Sequence, residues 1–349
     1  MAAPKTKATI LDIAGKLNVT PSTVSRALNG HAAISEATKR AVIKTAKRLN
    51  YHPNQIASSL RLGTSKIIGV IIPSAEINFF GAVVHGIEKV ASEKGYNVLL
   101  YQSNELLDFE KRGIATFLRS RVEGVFASLS KETTELDHFK SLKKRGVPLL
   151  LFDRASDDLG VPSIVIDDYK GAYMATTHLL SQGCRCVAHI AGPQHIHIFK
   201  ERLNGYRDAL RHAGLTPRDQ WITYGTVSVD SGRRCMRELL ATSPGIDGVF
   251  AVEDFTALGA LQCLKEEGKK VPDEICLVGF ANEAFGEYIT PSLSTVNQQT
   301  IRMGEEATKL FFSLIKQKNF YKSPVPKVVL EPELIVRDTS RRKKEMQRL

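Results

Sequence analysis

The chain has 349 residues, 43% of them hydrophobic, enough for two or three domains at about 100–200 residues each. No apolar run reaches the ~18–20 residues of a membrane helix, and the start of the chain lacks the apolar stretch of a secretory leader, so neither spanning nor export is expected. Five cysteines, few and odd in number, suit free thiols in a reducing cytoplasm and argue against a disulfide frame.

Charge is unevenly placed. Residues 1–66 hold eleven Lys and Arg against two acids (+9), residues 341–349 hold five bases against one acid (+4), and the remainder carries −2. A near-neutral body with a basic head points to a polyanion-binding module at the front.

Three helix-length segments fill the first fifty residues. Thr9 is placed to cap a first helix running to about Leu17, with Ile10, Ile13, Ala14 and Leu17 at helical spacing. Thr20 is placed to cap a second, with Pro21 at its first position, and Asn29-Gly30 ends it. Ser35 is placed to cap a third running to about Leu49, with Val42, Ile43, Ala46 and Leu49 predicted to face inward. The second segment, "TPSTVSRALNG", has Val24 and Leu28 on one side and Ser22, Thr23, Ser25 and Arg26 on the other. A helix that enters the DNA major groove needs a slim leading turn, which Pro21, Ser22 and Thr23 supply. Hydroxyls there reach bases and phosphates, and Arg26 can offer a bidentate fork to guanine. A plain helical hairpin is the alternative. Lys39, Arg40, Lys44, Lys47 and Arg48 on the third segment weigh against it. Pro53 then interrupts, a short helix-capable piece follows, and Gly63-Thr-Ser reads as a linker.

From Lys66 apolar runs alternate with helical patterns. "IIGVII", "YNVLLY", "VEGVFA" and "VPLLLF" precede residue 160, and "CVAHIAG", "WITY", "IDGVFA" and "EICLVGF" follow it. Helical spacing recurs over 80–94, 134–145, 170–182, 201–213, 231–241 and 256–267. Strands buried on both faces and alternating with helices predict parallel α/β sheets. About four strand–helix units on each side of residue 160 suit two similar lobes; a closed eight-stranded barrel is the other solution.

The stretch from "TILDIAGKLNVTPSTVSRALNG" through "YHPNQIASSLRLGTSKIIGVIIP" resembles the head of the LacI/GalR family of bacterial transcription regulators. The likeness continues through "FDR", "HLLSQG", "IAGP", "RLNGYRDAL", "VPDEICLVGF" and "TPSLSTV", so it spans nearly the whole chain. It implies an N-terminal all-α helix–turn–helix head (1–51), a hinge helix and linker (52–65), a two-lobed α/β periplasmic-binding-protein-like core of parallel sheets (66–340) and a basic tail (341–349). It implies a homodimer on a near-palindromic operator DNA. Thr20, Pro21, Ser22, Thr23, Ser25 and Arg26 would lie on the reading helix, with Asn29 on the backbone near its end. Asn54, Ala57 and Leu60 would be the hinge residues at DNA, Leu60 as a wedge in the minor groove at a flexible central step. The hinge is too short to be a stable helix alone, so it would order only when paired on DNA.

Ligands of open parallel sheets lie beyond the carboxyl ends of the strands. The candidates there are Ser74, Phe79 and Phe80, then Asp153 and Arg154, then Asp167 and Asp168. Further on come His195, His197, Phe199 and Arg202, then Glu253 and Asp254, then Asn282 and Glu283. Carboxylates and an arginine for hydroxyls, with an aromatic platform, suit a sugar or sugar derivative. By resemblance, Arg202 matches an arginine that binds ligand hydroxyls or charge, and Phe79 and Phe80 match an aromatic pair over the ligand. Glu253 stands where the family usually has Asn, and Ala281 where many sugar-binding members have Asp, so the particular sugar stays open. At least one of His195 and His197 is expected to face the cleft.

Cys184, Cys186, His189, His195 and His197 fall close together, but the usual zinc spacing is absent, so no metal is expected. No nucleophile, phosphate-loop or cofactor motif is present either, so neither an enzyme nor a cofactor is expected. The tail lacks apolar heptads, which leaves a dimer rather than a tetramer. The reading is a cytoplasmic, ligand-responsive repressor of carbohydrate-utilisation genes, with no membrane partner. A cytoplasmic solute-binding protein without operator specificity is the alternative, opposed by the basic head.

Overall fold

The structure, a computed structural model, describes residues 8–51, 64–316, 320–321 and 324–342. These form two compact units that divide between Ser65 and Lys66.

The described residues of the first unit form three helices, α1 (Ile10–Leu17), α2 (Pro21–Leu28) and α3 (Glu36–Arg48). Asp12 accepts from the Thr9 amide (2.7 Å) at the start of α1, and Asn18, in the left-handed region at φ 50°, ends it. Ser35 Oγ accepts from the Thr38 amide at 3.2 Å and caps α3. Ile13, Ala14, Val24, Ala27, Val42 and Ala46 make the small core, with Ile10, Leu17, Leu28 and Leu49 packed against it. Ile43 corrects the expectation: it is 45% exposed, and Thr45 is buried in its place. Residues 42, 45, 46 and 49 define the inner stripe at i, i+3, i+4 and i+7, and Ile43 lies beside it.

The second unit is two-lobed. In the first lobe β1 (Ile67–Ile72), β2 (Asn97–Gln102), β3 (Gly124–Ala127), β4 (Leu149–Phe152) and β5 (Ser163–Ile166) pair in parallel. Alternation is visible in β4, where Leu150 and Phe152 pack on one side and Leu149 and Leu151 on the other. Helices α4 (Asn78–Glu93), α5 (Leu107–Arg119) and α6 (Asp137–Lys144) connect these strands. The second lobe holds β6 (Val187–Ala191), β7 (Ile222–Tyr224), β8 (Gly248–Ala251) and β9 (Cys276–Val278), in the order β7-β6-β8-β9. Its helices are α7 (Asp168–Ser181), α8 (His197–His212), α9 (Val229–Thr242) and α10 (Asp254–Glu266), with a short α11 (Phe285–Tyr288) after β9. The sheets are open, which removes the barrel.

The division at residue 160 is incomplete. After β10 (Thr295–Asn297) the chain returns to the first lobe as α12 (Thr300–Lys316) and β11 (Lys327–Leu330), which completes a six-stranded sheet, β11-β5-β4-β3-β1-β2. It then crosses back to pair β12 (Glu333–Ile335) antiparallel with β10. Three crossings therefore join the lobes, near Asp167, Gln298 and Glu331. The returning helix seats tightly. A Cβ on Gly86 would lie 2.1 Å from Ile301 O, and one on Gly304 would lie 2.1 Å from Val83 O, so both glycines let α4 and α12 meet backbone to backbone.

Candidate functional site: a helix–turn–helix face and an inter-lobe cleft

In the head, Thr20 Oγ1 accepts from the Thr23 amide (3.2 Å) and lies 2.8 Å from Ser22 Oγ and 2.9 Å from Thr23 Oγ1. The cap thus gathers three hydroxyls at the leading turn of α2. Thr20, Pro21, Ser22 and Arg26 are exposed and Thr23 is half-buried. The Arg26 guanidinium has no hydrogen bond or ion pair among the described residues. Asn29 is exposed, and its Nδ2 donates to Ser25 O at 2.8 Å. Arg40, Lys44, Lys47 and Arg48 are exposed on α3, while Lys39 is held by Glu36 at 2.8 Å.

Ser25 does not share this face. It is 7% exposed and lies in the inward stripe between Val24 and Ala27. A three-helix head buries more than one row of α2, and a serine is small enough for close helix approach. The hinge candidates Asn54, Ala57 and Leu60 lie outside the described residues, as does the tail from residue 343.

In the core, Phe79, Phe80, Asp153, Arg154, Phe199, Arg202, Glu253 and Glu283 line an inter-lobe cavity of about 60 Å³. Arg202 is 2% exposed. Its Nε donates to Asp168 Oδ1 (2.8 Å), Nη1 to Val252 O (2.8 Å) and Nη2 to Gln298 Oε1 (3.4 Å), and its guanidinium lies 3.6 Å from the Phe280 ring centre. Burial pushes Asp168 up to about 7 even though Arg202 opposes it. Arg154 donates from Nη1 to Glu105 (2.7 Å) and Leu129 O (3.4 Å). Asp153 sits in the left-handed region at φ 58°, accepts from Ser128 Oγ at 3.2 Å, and is raised by burial.

Hydrogen bonds across the cleft tie the lobes. Glu283, 3% exposed on the second lobe, accepts from the Phe79 amide (3.2 Å) at the start of α4. Ile77, at the cap position of that helix, supplies no side-chain bond, so the cap comes from the opposite lobe. Lys131 Nζ donates to Thr226 O (3.3 Å), and His195 Nε2 lies 2.9 Å from Lys131 O.

Several candidates lie elsewhere. Ser74 Oγ accepts from the Glu76 amide (3.2 Å), closing its own turn away from the cavity. Asp254 is fully buried; Oδ1 accepts from Thr295 Oγ1 (2.6 Å) and Oδ2 from the Glu283 amide (2.7 Å). It orders the loop that carries Glu283. Asn282 Oδ1 accepts from Arg337 at 3.0 Å, away from the cavity. His195 and His197, by contrast, are exposed at the cleft: both line a neighbouring chamber of about 490 Å³ between the lobes, and His195 reaches Lys131 O across it. The metal candidates are also separated in role: buried His189 bonds Phe250 O through Nδ1 at 2.8 Å, and Cys184 Sγ contacts Asp247 O at 3.2 Å.

Lys131, Phe255 and Gln298 line the cavity without having been singled out. Lys131 follows β3, so the strand-end rule applied to that strand finds it. Gln298 stands at the second crossing, which apolar patterning does not reveal.

Glu253 accepts from the Phe255 amide (3.0 Å) and the Thr256 amide (3.3 Å) and so caps α10. Burial pushes it up to about 8, and nearby Asp254 is itself pushed up to about 6. From the ordinary 4.5 to about 8 the folded state holds a proton that the unfolded chain has released, so core stability falls as pH rises across that window and levels above it. Glu253→Gln keeps the capping oxygen and removes that proton. Urea unfolding followed by the single tryptophan, Trp221, should show a shallower decline in the variant. An unchanged slope would assign the dependence to the other carboxyls that burial raises, Asp153, Asp168, Asp254 and Glu283.

Two family models match the chain: bacterial regulatory proteins of the lacI family over residues 9–54, and periplasmic binding proteins and sugar binding domain of the LacI family over residues 65–328. The chain belongs to the LacI family. Among its relatives, this LacI-family chain is 32% identical over 335 residues to the ribose operon repressor of Halalkalibacterium halodurans, covering 95% of this chain and 97% of that one. It is 29% identical to the HTH-type transcriptional repressor PurR of Pasteurella multocida, covering 95% and 98%. A solved structure of the transcriptional regulator CelR with cellobiose matches with a TM-score of 0.72 at 30% identity, covering 95% of this chain and 99% of that one. A lac repressor dimer bound to operator and the anti-inducer ONPF matches in fold, with a TM-score of 0.85 at 24% identity, covering 96% and 99%. Both curated relatives are repressors by name. Among the described residues, no helix is long and apolar enough to cross a membrane.

Proposed function

We propose that this LacI-family protein is a cytoplasmic homodimeric repressor that binds a near-palindromic operator and whose affinity is set by a carbohydrate-type effector held between the core lobes. It carries out no reaction of its own. The observation that carries this reading is the exposed Arg26, without a hydrogen bond or ion pair among the described residues, beside the hydroxyl cluster of Thr20, Ser22 and Thr23 at the front of a helix–turn–helix. Thr20, Pro21, Ser22, Thr23 and Arg26 face DNA, Asn29 meets the backbone, and Asn54, Ala57 and Leu60 supply the hinge. Ser25 supports α2 from behind. Phe79, Phe80, Asp153, Arg154, Phe199, Arg202, Glu253 and Glu283 form the effector cleft. An effector that prefers one lobe geometry over another sets operator affinity by linkage, and the bonds across the cleft are the contacts that such a change of geometry would break. The relative named for the ribose operon and the regulator solved with cellobiose support a carbohydrate.

Selection of bound duplexes from a random DNA pool tests the reading. The expected result is a single inverted-repeat consensus bound by a dimer, with half-sites spaced for two symmetric heads. Binding without sequence preference would sink the operator reading and restore the solute-binding alternative.

A further inference from the structure

Two thiols meet where β6, β8 and β9 begin, at the opposite end of the second lobe's sheet from the cleft. Cys276 opens β9 and pairs in register with Gly248 of β8. A Cβ on Gly248 would lie 3.1 Å from Cys184 Cβ and 3.0 Å from its Sγ, so the missing side chain leaves the space that Cys184 fills. Neighbouring strands run about 4.8 Å apart and register partners point to the same face, which sets Cys184 beside Cys276. Both pack there with Ala175 and Leu179 of α7. The Asp247 carbonyl holds the two together: it accepts from Cys184 Sγ (3.2 Å) and from the Cys276 amide (3.0 Å). The two side chains also hydrogen-bond each other.

Burial by itself keeps a cysteine inert. This pair differs from an ordinary buried thiol in depth, asymmetry and charge. It is shallow: Gly183, Arg185, Asp273 and Glu274, beside it in the chain, are all exposed. It is unequal: the bond between the thiols and burial push Cys184 up, whereas the bond from Cys184 and the nearby Arg342 cation hold Cys276 below the usual thiol range. The Arg342 guanidinium is anchored over the pair. Its Nε donates to Pro272 O (3.2 Å), itself 3.5 Å from Cys276 Sγ, and its Nη2 donates to Asp247 O (3.1 Å). A thiol eased toward its thiolate by a cation, with a second thiol in reach, is the arrangement of a redox-sensing cysteine and its resolving partner. Cys263, by contrast, is buried on the other side of the sheet with Met236 and Leu264.

We propose that Cys184 and Cys276 form a modification site, at which a hydroperoxide oxidises Cys276 and Cys184 closes a disulfide with it. The Cys276 sulfur attacks one peroxide oxygen, the O–O bond breaks, and the released hydroxide leaves as water with the proton that the thiol gave up. The Cys184 sulfur then attacks the resulting sulfenic acid. The S–S bond forms, the S–O bond breaks, and hydroxide leaves as a second water with the Cys184 proton. The thiols lose two electrons and the peroxide gains them. The bond ties the lead-in of β6 to β9 across β8, beneath the segment that carries Ser340 and Arg342. In a reducing cytoplasm it is transient, as a sensing disulfide is.

The test is hydrogen peroxide added to the reduced full-length protein, followed by alkylation in denaturant, trypsin without reductant, and mass spectrometry. Cleavage after Arg185 separates Cys184 (peptide 171–185) from Cys186 (186–200), and Cys276 lies in peptide 271–302, so each thiol is read by itself. The expected result is a cross-link between 171–185 and 271–302 that dithiothreitol reverses, with Cys276 losing its free thiol about tenfold or more faster than Cys263. Cys184→Ser should halt the reaction at a Cys276 sulfenic acid, trapped by dimedone, and Cys276→Ser should leave Cys184 a free thiol. The cross-link in the unmodified protein decides the matter whether or not either variant folds. No cross-link at a peroxide dose that oxidises half-buried Cys186 would overturn the site. So would Cys186 joined to Cys276 in place of Cys184, or Cys276 and Cys263 oxidised at the same rate.

Discussion

Arg26→Ala should reduce affinity for the selected operator by roughly 30-fold to 20,000-fold. A bidentate arginine–guanine pair gives about 1–3 kcal/mol of discrimination, and a dimer presents the residue twice, so about 2–6 kcal/mol is at stake. The head should stay folded, because the side chain is exposed and has no partner to lose among the described residues. Binding to unrelated DNA should change little, since that term comes from phosphate neutralisation and is shared with Lys44, Lys47 and Arg48 on α3. Lys44→Ala is the contrasting variant: it should weaken all sequences alike and flatten the salt dependence. Titrations of operator and scrambled duplex at two salt concentrations separate the two behaviours. If Arg26→Ala kept the wild-type preference at every operator position, another residue would be reading the sequence.

The helices of the head and most strands of the core were legible because capping residues and buried apolar runs are local signals. Thr9, Thr20 and Ser35 mark three helix starts, and "IIGVII" or "PLLLF" can only be strands covered on both faces. What escaped was set by packing. Ser25 looks like part of a polar face, and the packing of α2 within the head turns it inward. Helix α5 was missed because its buried row is Glu110, Gly113, Ile114 and Phe117, which is not an apolar stripe. Glu110 is tolerated there because Ser130, Thr133 and His138 all bond its carboxylate. Helix α12 does carry a readable row, Met303, Ala307, Phe311 and Leu314. That it belongs with α4 in the first lobe depends on a crossing and on Gly86 and Gly304, which no local pattern announces. In the cleft the residue types were legible and their grouping was not. Strand-end position brought together Asp153, Arg154 and Glu253. It also swept in Ser74, Asp254 and Asn282, whose side-chain oxygens are taken by the Glu76 amide, by Thr295 and the Glu283 amide, and by Arg337.

Arg202→Ala should destabilise the core by about 3–5 kcal/mol, the range found when one member of a buried ion pair is removed. The change strands three groups at once: the Asp168 carboxyl, the Val252 carbonyl and the Gln298 amide oxygen. Asp168 opens α7 directly after the first crossing, and Gln298 stands at the second, so the loss falls on the joints between the lobes. The sign of the pH dependence is fixed by Asp168. With Arg202 present its carboxyl already stands at about 7 because burial outweighs the cation, and without Arg202 it rises further. Protonation relieves the stranded charge, so the deficit of Arg202→Ala against wild type should shrink as pH falls from about 8 to about 5. Urea midpoints read from Trp221 at both pH values measure this, and a deficit independent of pH would show that packing against Phe280, not charge, is what Arg202 supplies. A loss of effector response in Arg202→Ala is therefore a folding result before it is a binding result. The pair Arg202→Met with Asp168→Leu removes both charges together, and replacing a buried pair by apolar residues of similar volume is often neutral for stability. If that double variant is as stable as wild type yet its operator affinity no longer responds to effector, Arg202 acts on the ligand as well as on the joints between the lobes.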